Sequence, residues 1–151
     1  MIFRKAKMSD VEQMASLINS YADQGLMLHR TLPSLYQKIR DYTLIEKNNA
    51  IIGVGGLHIL WKDLSEIRSL AIAPQYIHNG LGQALVDILL QESRDLGIEK
   101  VFTLTYQPAF FEKSGFTRIE KDQLPQKVWT ECINCPKFPN CDEIALIKVI
   151  Q

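Results

Sequence analysis

The stretch from Glu66 to Leu89 constrains the fold of this 151-residue chain more than any other. It begins with an apolar segment that carries two charges, Glu66 and Arg68, and continues through a loop containing Pro74 and Gly80. Apolar residues then recur at helical spacing, at Leu81, Ala84, Leu85, Ile88 and Leu89. This pattern predicts a strand, a glycine loop and an amphipathic helix in direct succession.

The glycine loop, with Gly80 and Gly82 at the start of the predicted helix, has a pattern that suits phosphate binding. The first N–H groups of a helix have no partner inside it, and its dipole favours an anion there. Glycine lets the backbone approach such a ligand closely. The three-glycine dinucleotide fingerprint and the G-K-[ST] of a nucleotide P-loop are both missing from this stretch. A purely structural turn is the alternative interpretation.

The remaining elements follow from periodicity and from breaker residues. A capping box at Ser9-x-x-Glu12 predicts the start of a first helix with Val11, Met14, Ala15 and Ile18 inward, and Thr31 and Pro33 predict a second. Further helices are predicted at Gly80–Leu96 and Pro108–Lys113. Strands are predicted at Ile2–Ala6, Tyr42–Glu46, Ile51–Leu60, Glu66–Ala73, Val101–Thr105, Phe116–Ile119 and Glu143–Ile150. The order β-αα-βββ-α-β-α-ββ predicts an α/β protein whose mixed, mostly antiparallel sheet is flanked by helices. Gly53, Gly55 and Gly56 predict a bend or bulge in the third strand.

Length and composition indicate a single domain over residues 1–151. The 17 basic and 17 acidic residues balance, so nothing favours nucleic acid or an anionic membrane as a partner. We see no run long enough to span a bilayer and no secretory signal. Three cysteines, an odd number, argue against a secreted disulfide framework, and we expect a cytoplasmic protein.

Two motifs resemble those of the GNAT superfamily of N-acetyltransferases. Residues 77–82, Ile-His-Asn-Gly-Leu-Gly, are similar to its pyrophosphate loop [QR]-x-x-G-x-[GA], with Ile77 departing at the first position. Residues 109–116 resemble its A-x-x-F-[YF]-x-x-x-G-F segment, and the predicted element order is also that of the family. The resemblance implies the acyl-CoA N-acyltransferase fold and acetyl-CoA as co-substrate. The coenzyme contacts that it implies are Leu70, Ala71, Ile72, His78, Asn79, Gly80, Leu81, Gly82, Gln83, Ala84 and Phe111.

A narrower resemblance covers nearly the whole chain. Residues 25–28, 66–70, 104–106 and 127–129, followed by Cys-x-x-Cys-Pro-Lys-Phe-Pro, look like the short, single-domain N-acetylglutamate synthases of bacteria. It implies that the acceptor is a small acidic amino acid or its amide, in arginine biosynthesis. Three alternatives stay open: another small amine, a protein N-terminus, or a regulatory module that binds acetyl-CoA without turnover. A homodimer is one candidate assembly.

Acetyl transfer requires that the acceptor amine lose a proton, since α-amino groups have a pKa near ~8. Glu66, at the start of the predicted central strand, is the candidate base, and an ion pair with Arg68 is the alternative. The backbone N–H near Leu70 is the oxyanion donor that the resemblance implies. Phe111 stands where the family often has a tyrosine acid, so Tyr106 is a candidate substitute. Tyr106 is otherwise a half-buried aromatic, and the thiolate can also leave unprotonated, with thiols titrating near ~8.5.

The carboxylate of an amino-acid acceptor is matched best by arginine, which donates two parallel hydrogen bonds. Arg30, Arg68 and Lys127 are the candidate substrate-binding residues, and a solvated surface charge is the alternative for each.

Three cysteines, Cys132, Cys135 and Cys141, fall in a loop at about 130–142. Their spacing is half of a zinc pattern, and structural zinc takes four ligands. We therefore expect no metal and interpret the thiols as small apolar packing groups, with zinc and a disulfide as the alternatives.

Overall fold

The computed structural model describes residues 1–124 and 142–150 of the chain. The strands are β1 (Ile2–Lys5), β2 (Tyr42–Lys47), β3 (Ala50–Trp61), β4 (Leu64–Ile72), β5 (Lys100–Thr105), β6 (Thr117–Ile119) and β7 (Ile144–Val149). The α-helices are α1 (Val11–Ala22), α2 (Leu32–Gln37), α3 (Leu81–Asp95) and α4 (Pro108–Lys113). This order confirms the predicted succession of strands and helices. No helix in the described parts is long and apolar enough to cross a membrane.

The strands form one sheet in the order β1-β2-β3-β4-β5-β7-β6. Every pairing is antiparallel except that of β4 with β5, which confirms the predicted mixed sheet. The parallel pairing joins only Leu64–Glu66 to Lys100–Phe102. Both strands continue beyond these residues without pairing to each other, so a gap opens between their carboxyl-terminal halves.

The bend or bulge predicted for β3 lies beside Gly53, where Ile52 is an extra residue in the pairing with β2. A second bulge, opposite Gly55, lies at the middle of β4 and not in β3. Val54 pairs with Ala71 and Gly56 pairs with Arg68, so two residues of β4 stand opposite Gly55 alone. One of these two, Ser69, has a φ of 56°, in the left-handed region. The extra residue places Arg68 and Ala71 on the same face of the sheet.

Helix α1 packs on one face of the sheet through the four residues predicted to face inward, which are all buried. The prediction of its start was wrong in detail. The Ser9–Glu12 capping box is replaced by Asp10. The Asp10 carboxylate accepts a 2.7 Å hydrogen bond from the Lys7 N–H and another from the Arg4 guanidinium. A short 3-10 turn at Met8–Asp10 consequently precedes the helix.

Helix α3 covers the opposite face of the sheet. Its buried residues are Leu85, Val86, Leu89, Leu90 and Ser93. Ile88, which was predicted to face inward, is instead 36% exposed. The buried stripe is thus rotated toward Val86 and Leu90, and it includes Ser93, whose hydroxyl lies in a buried hydrogen bond with Ser65. The spacing of apolar residues cannot predict a buried serine of this kind.

Candidate functional site

A cleft of about 700 Å³ lies where β4 and β5 separate. Its walls come from the end of β4, the loop that follows, the start of α3, the end of β5 and α4. All the residues predicted to contact coenzyme line this cleft except Asn79 and Ala84. The other predicted coenzyme residues therefore share one concave surface, although they come from β4, α3, α4 and the loop between β4 and α3.

The N-terminus of α3 opens into the cleft and is shaped by Gly80. This residue has a φ of 76°, and its carbonyl accepts the first intrahelical bond from Ala84. The N–H groups of Leu81, Gly82 and Gln83 come before that bond and have no partner within the helix. Such a helix end, here on a helix of 15 residues, is suited to an anion.

Gly82 leaves room for an aromatic side chain of α4. A Cβ at this position would lie 3.1 Å from the ring of Phe110, which also lines the cleft. Phe111, which was predicted to reach the coenzyme, borders the cleft but is mostly buried against Phe116. Phe110 is thus more accessible from the cleft than Phe111. Sequence reasoning passed over it because two adjacent phenylalanines in a six-residue helix cannot be assigned to faces by spacing.

Glu66 and Arg68 form an ion pair on β4, immediately before the bulge. The Nη2–Oε1 distance is 2.6 Å, and the side chains are only 12% and 5% exposed, respectively. This is the structural alternative that the sequence left open for Glu66. It engages one oxygen of the carboxylate, and in the described part of the chain no partner is seen for the other, Oε2.

Arg30 reaches the same bulge from the loop between α1 and α2. Its Nε donates a 3.1 Å hydrogen bond to the Oγ of Ser69, 39 positions away in sequence. Its backbone is held to α1, because Asn19 accepts from the Arg30 N–H and donates to the Arg30 carbonyl. Within residues 1–124 and 142–150, no carboxylate forms a salt bridge with this half-buried cation. Arg30 therefore reaches the residue next to Arg68. Arg68 and Ser69 line the cleft, whereas Arg30 and Glu66 are not among its lining residues.

The other predicted site residues lie elsewhere. Tyr106 is absent from the cleft lining, and its hydroxyl donates a 2.6 Å hydrogen bond to Asp142. Lys127 and the three cysteines, Cys132, Cys135 and Cys141, lie outside the described residues. Among the residues that are described, no group of three His, Cys, Asp or Glu side chains could hold a metal ion.

The site combines a cleft between two parallel strands, a bulge in one of these strands and a helix N-terminus. The model of the acetyltransferase (GNAT) family matches residues 11–116, and the chain belongs to this family. An uncharacterised N-acetyltransferase of Chlorobaculum tepidum is 35% identical over 147 residues, which cover 97% of this chain and 95% of that protein.

Amino-acid acetyltransferases are also among its relatives. The Mycobacterium tuberculosis enzyme is 38% identical over 133 residues, covering 86% of this chain and 76% of that enzyme. The Vibrio atlanticus enzyme is 32% identical over 126 residues, but the chain spans only 28% of its length.

Two solved structures are similar along the whole chain. A Mycobacterium tuberculosis protein in complex with CoA matches with a TM-score of 0.87 and 32% identity, covering 100% of both chains. The N-acetylglutamate synthase of Neisseria gonorrhoeae, in complex with coenzyme A and N-acetyl-glutamate, matches with a TM-score of 0.90 and 25% identity. The match covers 99% of this chain and 35% of the synthase.

Proposed function

We propose that this acetyltransferase moves the acetyl group of acetyl-CoA to the α-amino group of glutamate or glutamine, the first step of arginine biosynthesis. The observation that carries the proposal is Arg30, a half-buried cation docked on Ser69 beside the Glu66–Arg68 pair. The Glu66 carboxylate offsets one of the two guanidinium groups, so the group of three keeps a net positive charge. This charge would repel a cationic acceptor such as a polyamine and attract a carboxylate.

The coenzyme would lie in the cleft between β4 and β5, with its pyrophosphate on the first N–H groups of α3. Support comes from the positive φ of Gly80 and from the cleft lining, which includes Leu70 to Ile72. The related Mycobacterium tuberculosis and Neisseria gonorrhoeae structures contain CoA.

The acceptor would bind at the bulge end of the cleft, with its α-carboxylate on Arg30 and Arg68. Guanidinium groups bind carboxylates through paired charge-assisted hydrogen bonds. Lys127 stays a prediction as a third contact. The names of relatives agree with an amino-acid acceptor, since two of them are amino-acid acetyltransferases.

The chemistry would use groups of β4. Glu66 would take a proton from the ammonium group, directly or through water, and the free amine would then attack the thioester carbonyl. The developing oxyanion would be stabilised by the backbone N–H of Leu70, which lines the cleft. Collapse would expel the thiolate. Tyr106 stays a prediction as its proton donor, and a thiolate can also leave without one because thiols titrate near ~8.5.

A thiol-release assay with acetyl-CoA tests the proposal. The acceptor panel should include glutamate, glutamine, aspartate, a polyamine and a peptide with a free N-terminus. We expect glutamate or glutamine to give the highest kcat/KM. A preference for the polyamine or the peptide would contradict the acceptor assignment. Tight acetyl-CoA binding without acceptor-dependent thiol release would instead indicate a regulatory module.

A further inference from the structure

Three side-chain positions form a row across the sheet beside the proposed acceptor site. Tyr42 of β2 is the register partner of Gly56 of β3, and Gly56 is also the partner of Arg68 of β4. Directly opposed residues of neighbouring strands point to the same face of a sheet. The row therefore consists of the Tyr42 ring, Gly56 without a side chain, and the aliphatic part of Arg68.

Gly56 leaves the middle of this row open for the Tyr42 ring. A Cβ at Gly56 would lie 2.9 Å from Cε1 of Tyr42 and 3.4 Å from Cγ of Arg68. The ring thus lies over the glycine backbone, and the arginine stem borders the same space. Any side chain at position 56 would push the ring and the stem apart.

The hydroxyl end of Tyr42 lies near the other arginine of the site, Arg30. Tyr42 is 1% exposed, and its hydroxyl is beside that of Ser69, which already accepts the hydrogen bond from Arg30. Burial raises the pKa of this phenol, while Arg30, Ser69 and Arg68 oppose the rise. The hydroxyl consequently keeps its proton and can act as a donor at neutral pH.

We propose that Tyr42 is a positioning residue for the acceptor carboxylate: its ring sets the stem of Arg68, and its hydroxyl, acting on Ser69, sets Arg30. The inference rests on the proposed function, because it takes this corner of the cleft as the acceptor site. A long arginine side chain loses rotamer freedom when it binds a ligand. Fixing both guanidinium groups beforehand lowers that cost and so tightens acceptor binding.

Tyr42→Phe tests the hydroxyl, since it keeps the ring and removes one donor. We expect the acceptor KM to rise about three- to tenfold, as for loss of one neutral hydrogen bond, with kcat and the coenzyme KM nearly unchanged. The matched control is Tyr36→Phe in α2, where the side chain is exposed and no kinetic change is expected. A Tyr42→Phe variant with an unchanged acceptor KM, or with equal rises in both KM values, would overturn the proposal.

Gly56→Ala tests the ring, with Gly53→Ala as its control. The new Cβ at position 56 would displace Tyr42, whereas a Cβ at Gly53 would lie 2.8 Å from Ile45 on the α3 face. Both variants should lose thermal stability, but only Gly56→Ala should raise the acceptor KM. Equal acceptor KM values in the two variants would show that the row is merely structural.

A modified acceptor separates positioning of the carboxylate site from general damage. Glutamate α-amide lacks the charge of the α-carboxylate and keeps that of the side chain, so Tyr42→Phe should lower kcat/KM for glutamate and leave that for the amide unchanged. Equal losses for both compounds would overturn the inference alone. Absence of acceptor-dependent thiol release by the wild-type protein with the whole panel would overturn the proposed function, and this inference with it.

Discussion

Glu66 forms an ion pair in the structure, and the proposed mechanism gives the same carboxylate a second role as the base. One oxygen is held by Arg68 at 2.6 Å, and both side chains are largely removed from solvent. The ion pair fixes the direction of the carboxylate, and the other oxygen is where a substrate ammonium group would approach. Structural pairing and proton transfer are therefore compatible at this residue, but they predict different responses to pH.

Glu66→Gln should lower kcat by ~10²–10⁴, the usual share of general-base catalysis, and leave the coenzyme KM unchanged. The variant should partly recover as pH rises toward the ~8 pKa of the free amine, because the substrate then arrives deprotonated. Wild type should change less over that range. Parallel kcat–pH profiles for the two proteins would exclude the base role, even with a slow variant, and would leave only the ion pair.

Arg30→Ala should raise the acceptor KM by roughly 10- to 100-fold, since a hydrogen bond to a charged group contributes about 1.5–3 kcal/mol. Coenzyme KM should not change. Arg118→Ala is the control, because this arginine is 54% exposed and pairs with Glu112 on the surface. If the two variants have the same acceptor KM, Arg30 does not bind the carboxylate, and Arg68 becomes the better candidate.

The loop and helix that follow β4 depend on backbone conformation more than on side-chain chemistry. Gly80 and Gly97 flank α3 and have φ values of 76° and 79°. A Cβ at either position would have no heavy atom within 4 Å. Substitution at either end therefore strains the backbone in the same way, but only one end faces the cleft.

Gly80→Val should raise the coenzyme KM at least tenfold, while Gly97→Val should leave it unchanged. Each variant should lose roughly 1–3 kcal/mol of stability, because a β-branched residue is forced to a positive φ. Thermal unfolding and kinetics of both proteins provide the measurement. A normal coenzyme KM in folded Gly80→Val would remove the phosphate-loop assignment.

At the scale of the whole molecule, a charge cluster holds the first strand to α1 and to β2. Arg4 hydrogen bonds both oxygens of Asp10 and also contacts Glu46 at 2.7 Å. The Arg4 guanidinium and the Lys7 N–H hold the pKa of the Asp10 carboxyl below its usual value of 3.8. Stability from this carboxylate is therefore present above about pH 4 and is lost as pH falls toward the folded-state pKa.

Asp10→Asn should lower the unfolding free energy at pH 7 by roughly 2 kcal/mol, as expected for losing charge-assisted bonds. The difference from wild type should shrink below about pH 4, where the wild-type carboxyl gains its proton. Urea unfolding at pH 7 and at pH 3 measures both effects. Glu12→Gln, at an exposed position of α1, is the control. A difference that stays constant down to pH 3 would show that the Asp10 charge contributes nothing.

Periodicity and breaker residues predicted the whole element order, because amphipathic faces and positive-φ glycines are local properties. The same reasoning named Arg30 and Glu66 as candidates but could not predict that they lie near each other in the fold. Their connection depends on Ser69, which adopts a positive φ that propensity assigns to glycine or asparagine. Tyr42 was predicted as part of a strand only, because the space over Gly56 exists only after three strands have paired.

The short pairing between β4 and β5 leaves the sheet in two halves that few backbone hydrogen bonds connect. One half-sheet holds β1 to β4 and the other holds β5, β7 and β6, and the backbone seam joins only Leu64–Glu66 to Lys100–Phe102. In the described part of the chain, the Thr103 hydroxyl also donates to the Ile67 carbonyl, and an exposed ion pair joins Lys100 to Asp63. Regions with few hydrogen bonds open at lower free energy than the rest of a fold. We therefore expect a molecule bound between the open ends of β4 and β5 to act as a brace between the two half-sheets.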